Sequence, residues 1–184
     1  MKEGTVIFQG KTEKGLEVII RYPKREDAQI LRHYINTLSK ERTYILFQGE
    51  QLSLREEKKY LNSVIKQINK NEAIILLVFH KDQLIAETDI KMQLRSENHV
   101  GAFGISVAKD YRSQGVGKLL MDLVIKEAKI NLKKLKIIRL GVFANNFIAQ
   151  KMYQQFGFIK YGNLPKGFLR RGQYVDHVYM YKNI

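Results

Sequence analysis

The hydrophobic period of this chain changes near Val107, and that change restricts the fold more than any other feature. From residue 73 up to that point the period is two. Residues 73–80 read as a buried strand, Lys81-Asp82-Gln83 as a tight polar turn, and residues 84–94 alternate. Ala86, Thr88, Ile90 and Met92 fall on one face of this second strand, and Glu87, Asp89 and Lys91 on the other, as the pleat requires. The polar turn Arg95-Ser96-Glu97-Asn98 leads to a third strand, 99–107. Beyond Val107 the apolar residues recur at helical spacing. A helix is expected over 117–131, with Leu119, Leu120, Leu123, Val124 and Ala128 facing inward. A short strand over 137–142 follows. Asn146 then starts a helix with Ile148, Ala149, Met152, Tyr153 and Phe156 on its inner face, and Gly157 ends it. An antiparallel meander followed by strand–helix units predicts a mixed α/β sheet with helices on both faces.

The first part of the chain adds a strand over 16–22, stopped by Pro23, and a helix from Arg25 to about Asn36 with Glu26 and Asp27 in its first turn. Ser53-Leu54-Arg55-Glu56 is a capping box, and Tyr60, Leu61, Val64, Ile65 and Ile68 continue it at helical spacing. Residues 158–161 and 174–181 are expected as the last strands. Proline occurs only at positions 23 and 165, and no low-complexity stretch divides the sequence. The 184 residues therefore read as a single domain, 1–184.

Composition excludes several chemistries. With no cysteine there is no disulfide, no thiolate nucleophile and no Cys-based metal site. His33, His80, His99 and His177 are scattered and form no metal-ligand pair, so no metal is expected. The longest apolar run, 73–79, is far short of the ~20 residues of a spanning helix. Met1-Lys2-Glu3-Gly4 carries no apolar stretch behind a basic start. A protein without a membrane segment, in the cytoplasm, is the expectation. The net charge of +14 favours anionic partners, and a lysine-rich solvated surface accounts for it equally well.

The chemistry concentrates in one loop. Ile105-Ser106-Val107-Ala108-Lys109-Asp110-Tyr111-Arg112-Ser113-Gln114-Gly115-Val116-Gly117-Lys118-Leu119-Leu120 runs from a strand through a glycine-containing turn into a helix. Gly115 and Gly117 permit close approach of a ligand to the backbone, and the new helix presents free N–H groups of positive partial charge. Arg112 and Lys118 flank them. This is a pyrophosphate cradle, and two familiar kinds fail: a Walker loop needs Ser or Thr where Leu119 stands, and a dinucleotide fingerprint needs glycine where Leu120 stands. What remains is Arg-x-x-Gly-x-Gly, 112–117.

That pattern resembles the coenzyme A loop of the GNAT superfamily of N-acetyltransferases. Val142-Phe143-Ala144-Asn145-Asn146-Phe147-Ile148-Ala149-Gln150-Lys151-Met152-Tyr153-Gln154-Gln155-Phe156-Gly157-Phe158 is similar to the family's second motif, N-x-x-A-x-x-x-Y-x-x-x-G-F. Gln155 stands where many relatives have lysine. The resemblance covers roughly the last hundred residues and implies a GNAT-like fold whose central strands, 99–107 and 137–142, splay apart at their C-terminal ends.

It also implies acetyl-CoA as cosubstrate. Ile105, Ser106 and Val107 would run beside the pantetheine arm, through the backbone of Ile105 and Val107. The N–H groups of Gln114, Gly115, Val116, Gly117 and Lys118 would hold the pyrophosphate, with Arg112 and Ser113 nearby, and Asn146, Ala149 and Tyr153 would close the other side. The implied reaction is direct attack of a neutral amine on the thioester in a ternary complex. Tyr153 is the general acid that the resemblance implies. Tyr153 also lies on the apolar face of its helix, where an aromatic is ordinary packing. Glu87 and His99 are candidate bases, beside a water chain, and a backbone N–H near Val107 is the candidate oxyanion donor.

The acceptor side would comprise 37–54 and 163–176, with Glu41, Glu50 and Asp176 able to receive an amine, and with Lys166, Arg170 and Arg171 forming a basic loop for an acidic group or the coenzyme's 3′-phosphate. The acceptor is read as a small amine or amino-acid-like molecule. Alternatives are a protein N-terminus, as in ribosomal-protein acetyltransferases, a non-catalytic coenzyme A binder, and a basic nucleic-acid-binding protein. The last rests on Lys129, Lys133, Lys134 and Lys136, with no recognition motif beside them. A homodimer is a further possibility the sequence leaves open.

Overall fold

A computed structural model describes residues 3–184 of the chain. Met1 and Lys2, which open the stretch read for a targeting signal, lie outside the described residues. No helix among the described residues is long and apolar enough to cross a membrane.

Eight strands build one sheet: β1 (Val6–Lys11), β2 (Glu17–Arg21), β3 (Ala73–His80), β4 (Gln83–Met92), β5 (Val100–Val107), β6 (Ile137–Phe143), β7 (Ile159–Arg170) and β8 (Gln173–Asn183). Their order is β1-β2-β3-β4-β5-β6-β8-β7. Every neighbouring pair is antiparallel except β5 and β6. Among the described residues four α-helices pack on the sheet: α1 (Ala28–Glu41), α2 (Leu54–Asn69), α3 (Val116–Asn131) and α4 (Phe147–Gln155).

The meander forms because β3 is buried along nearly its whole length while β4 alternates. Thr88 and Ile90 are buried on the α3 side, and Glu87, Asp89 and Lys91 are only partly covered on the side of α1 and α2. The capping box at α2 forms as expected: Ser53 Oγ accepts from Glu56 N–H at 3.3 Å, and Glu56 Oε2 accepts from Ser53 N–H at 2.8 Å. Gly157 follows α4 at φ +80°, the left-handed geometry that favours glycine there.

Four expectations are corrected. The strand β1 lies ahead of β2. None of its residues is fully buried, and Ile7 and Phe8 only lean on the core from the sheet edge. The strands β7 and β8 run far beyond 158–161 and 174–181, and the segment 163–176 is mostly strand rather than loop. Register shifts at Lys160/Gly162 and Leu164/Phe168 absorb the turn-like Asn163, Pro165 and Gly167. The buried stripe of α3 is Val116, Leu120, Met121, Val124, Ile125 and Ala128, with Leu119 and Leu123 at its edge. In α4, Ile148 is 83 % exposed and faces away from the core.

The pairing of β5 with β6 is short. Val100, Gly101 and Ala102 pair with Ile137, Ile138 and Arg139, and pairing ends there. A Cβ at Gly101 would come within 2.7 Å of Ile90 Cγ2 and 2.9 Å of Leu135 Cδ1. Gly101→Ala is expected to destabilise the protein by about 1–3 kcal/mol through overpacking, read as a lowered chemical-denaturation midpoint with unchanged slope.

Candidate active site

The short β5/β6 pairing creates the site. Beyond Ala102 the two strands diverge, while β4 stays paired with β5 as far as Val107. Val100 O accepts from Gln93 N at 2.8 Å and Ala108 N donates to Ile85 O at 2.8 Å, so the even-numbered residues of β5 turn their backbone toward β4. Alternation then directs the N–H and C=O groups of Phe103, Ile105 and Val107 into the gap that β6 has left. An extended, polar ligand can add there as a short strand. A cleft of about 1320 Å³ opens from this gap, large enough for two substrates.

One end of the cleft is the glycine loop. Gly115, the N-cap of α3, sits at φ +79° and supplies no side-chain cap, so the first N–H groups of the helix keep their capacity to bind an anion. A Cβ on Gly117 would meet only Met152, at 3.3 Å from its Sδ. The loop thus leaves room above its backbone, and the residues present fit a pyrophosphate. Ser113, Gly115, Gly117 and Lys118 line the cleft, as do Ile105, Ser106, Val107 and Arg112. Gln114 and Val116 do not. Val116 is packed in the core, and the Gln114 amide donates to Asp110 O at 3.1 Å, so both can contribute only backbone. Asn146, Ala149 and Tyr153 line the opposite wall. Asn146 Oδ1 caps α4 by accepting from Ala149 N at 3.3 Å.

Two flanking side chains have partners invisible in the sequence. Arg112 Nε donates to Val107 O at 3.0 Å, and its Nη2 meets Glu41 Oε2 at 2.8 Å. It ties the end of β5 to the end of α1. Lys118 Nζ lies 3.3 Å from Glu13 Oε1, an exposed pair. Ser106 Oγ shares a 2.9 Å hydrogen bond with Tyr34 OH of α1.

Of the acid–base candidates, two reach the cleft. Glu87 is half-buried in register with Ser106 and opens to the cleft from the α1/α2 side. Burial, with the neighbouring Asp89 carboxylate adding to it, pushes its carboxyl up to about 7, against the opposing pull of Lys91. Burial also raises Asp89, opposed by Lys91, whose Nζ lies 3.4 Å away. Tyr153 approaches from the α3/α4 side, its ring edge-on to Phe103 at 5.9 Å. Burial holds its phenol well above the usual tyrosine range. His99 is not brought to the site. It is exposed just ahead of β5, at the end where β5 and β6 still pair, and its carbonyl accepts from Lys136 N at 2.8 Å. Alternation puts His99 on the strand face of Phe103 and Ile105, but its place ahead of the paired residues 100–102 keeps it from the gap.

Of the carboxylates expected to receive an amine, Glu41 lines the cleft whereas Glu50 and Asp176 do not. Asp176 instead accepts from Asn163 Nδ2 and Lys166 N, both at 2.9 Å. An aromatic wall that sequence reasoning misses stands here: Phe143 stacks on Phe168 at 3.9 Å, and Phe168 lies 4.0 Å from His177. Tyr44 meets Phe143 edge-on at 5.5 Å. The apolar character of Phe143 and Phe168 is the available signal, hidden when 163–176 is taken for a loop.

The sequence profile of the Acetyltransferase (GNAT) family matches residues 35–158, more than half of the chain. The chain belongs to the GNAT acetyltransferase family. Among proteins similar to this GNAT chain is the L-amino acid N-acetyltransferase AaaT of Escherichia coli (strain K12), 29% identical over 172 residues, covering 89% of this chain and 96% of that one. A GNAT-family acetyltransferase structure from Streptococcus pneumoniae superposes with a TM-score of 0.83 at 28% identity, over 91% of this chain and 99% of the other. The spermidine N-acetyltransferase of Vibrio cholerae, solved with CoA and spermine, shares the fold at a TM-score of 0.74 and 23% identity, over 90% of this chain and 95% of that one. The GNAT fold expected from the resemblance is therefore the fold observed, with its splayed central strands.

Proposed function

We propose that this GNAT N-acetyltransferase moves an acetyl group from acetyl-CoA to the primary amine of a small, amino-acid-like molecule by direct attack. One observation carries the reading: the gap between β5 and β6 joins the glycine loop, Glu87 and Tyr153 in a single cleft. Bound acetyl-CoA supplies the activated acyl thioester. The backbone of Ile105 and Val107 would hold the pantetheine arm, and the N–H groups of residues 114–118 the pyrophosphate, with Asn146 and Ala149 on the opposite wall. Arg112 has its guanidinium engaged with Glu41 and acts by setting the end of β5.

Glu87, raised to about 7, is the general base, taking a proton from the acceptor ammonium directly or through water. The N–H of Val107, directed into the gap, is the oxyanion donor. Tyr153 remains protonated at working pH and gives its hydrogen bond to the departing sulfur. A small acceptor suits the site better than a protein N-terminus. The loop after α1 crosses toward the β6–α4 turn, where Tyr44 OH donates to Asn145 O at 3.3 Å, and Arg171 Nη2 donates to Glu41 O at 3.0 Å. These contacts narrow the acceptor end. The similarity to AaaT supports an amino-acid acceptor.

The test is thiol release from acetyl-CoA over a panel of polyamines, amino acids and peptides. The reading stands if amino acids or small amines release thiol and falls if only peptides do. Tyr153→Phe is expected to lower kcat by about tenfold to a hundredfold with acetyl-CoA affinity unchanged. An unaltered kcat would remove Tyr153 from the mechanism.

A further inference from the structure

The acceptor end carries a charge that the mechanism above leaves unused. Three arginines stand in the cleft wall: Arg112, Arg170 and Arg171. The first and last are engaged with Glu41. The Arg170 side chain forms no ion pair and no hydrogen bond among the described residues. Its Nε is shut away from solvent without a partner, and its guanidinium lies over the Tyr44 ring, 4.0 Å from the centroid. That stacking is itself held, because Tyr44 is fixed edge-on by Phe143 and by its bond to Asn145 O. The cation is therefore pre-organised. A partly desolvated guanidinium without an anion is costly in the free protein, and its planar fork matches a carboxylate better than any other common group.

The surroundings restrict the ligand further. Phe143, Phe168, Ile45 and Leu46 give this end of the cleft apolar walls, while the same cleft also holds the carboxyls of Glu87 and Asp89, the latter 3.4 Å from Lys91. A molecule satisfying both has an amine for the carboxylate side, a carboxylate for the guanidinium, and an apolar side chain between aromatic rings. We infer that Arg170 binds the acceptor's carboxylate and so selects amino acids with apolar side chains over plain amines. The inference rests on the N-acetyltransferase reading above. An anionic group of the coenzyme, such as its 3′-phosphate, is the other ligand of matching charge, and the experiment separates the two.

Thiol release is measured with apolar L-amino acids, the amide of each and the decarboxylated amine of each. Wild type is expected to prefer the free amino acids. Arg170→Gln is expected to raise their KM roughly 10- to 100-fold, leaving the KM for the decarboxylated amines and for acetyl-CoA unchanged. Arg170→Lys should recover part of the loss, and equal thermal midpoints for the three proteins show that folding is not the cause. An equal loss on every acceptor overturns the inference. So does a rise in the KM for acetyl-CoA that disappears with its 3′-dephospho analogue. A wild type that acetylates amines but no amino acid removes the carboxylate site and leaves the N-acetyltransferase reading intact. No acetyl-CoA binding and no thiol release with any acceptor removes both.

Discussion

Tryptophan at position 117 is expected to abolish acetyl-CoA binding while leaving the protein folded. The two glycines of the loop differ in what they tolerate. Gly115 is bound to its conformation, with φ +79° and Glu13 Cγ only 2.8 Å from where a Cβ would stand. Any side chain there strains the backbone and collides with the β1–β2 turn. Gly117 lies in ordinary helical geometry, and its added Cβ would meet only the flexible end of Met152. An indole at 117 is therefore free to leave the helix, and it leaves into the cleft, over the N–H groups proposed to hold the pyrophosphate. Calorimetry at moderate salt should give saturable acetyl-CoA binding for wild type and a loss of at least ~100-fold, about 2.7 kcal/mol, for Gly117→Trp. The thermal midpoint should hardly move. Unchanged affinity would remove the glycine loop from the coenzyme site.

The same loop shows what sequence reasoning reaches. Strand, glycine turn and helix are local, each signalled by residues a few positions apart, and spacing alone places Arg112 to Lys118 on them. The alternation of β4 is equally legible and puts Glu87 and Asp89 on one face. What stays hidden is non-local. Alternation assigns His99 to a face correctly, but only the pairing of residues 100–102 with residues 137–139 reveals that the gap opens beyond it. The engagement of Arg112 by Glu41 spans 71 residues of sequence, and nothing in either neighbourhood announces it. The strand β7 reads as a loop because Asn163, Pro165 and Gly167 carry turn propensity; long pairing with β8 overrides it, with irregular register where they sit. Those turn residues mask the apolar face of Phe168 and the inward placement of Arg170.

Glu87→Gln is expected to remove most of the activity and, in the same protein, to raise stability at alkaline pH. A positioned general base contributes typically ~10²–10⁴-fold, so kcat/KM should fall by about 100-fold or more. With the carboxyl near 7, pushed there by burial and by Asp89, the base form is lost as pH falls. The wild-type rate should therefore drop roughly tenfold per pH unit below about 7. The variant should lose the break near 7 and follow instead the ionisation of the acceptor's own ammonium. Stability moves the other way. A folded-state value near 7, above the ~4.3 of an unfolded glutamate, means that the native state holds this proton more tightly than the unfolded chain. Its contribution is complete below about pH 4.3 and is lost as pH rises through 7. Above that, ionised Glu87 is a burden on the fold, lightened by solvent at a half-buried site. Glutamine removes the burden, so the variant should gain on the order of 1 kcal/mol over wild type at pH 8 and nothing comparable at pH 4. Urea denaturation at the two pH values, run beside the pH–rate profiles, reads both effects. A variant that keeps the limb near pH 7 would transfer the base role from Glu87 to a water chain. A variant no more stable at pH 8 than at pH 4, relative to wild type, would show that the Glu87 carboxylate is solvated like any surface glutamate.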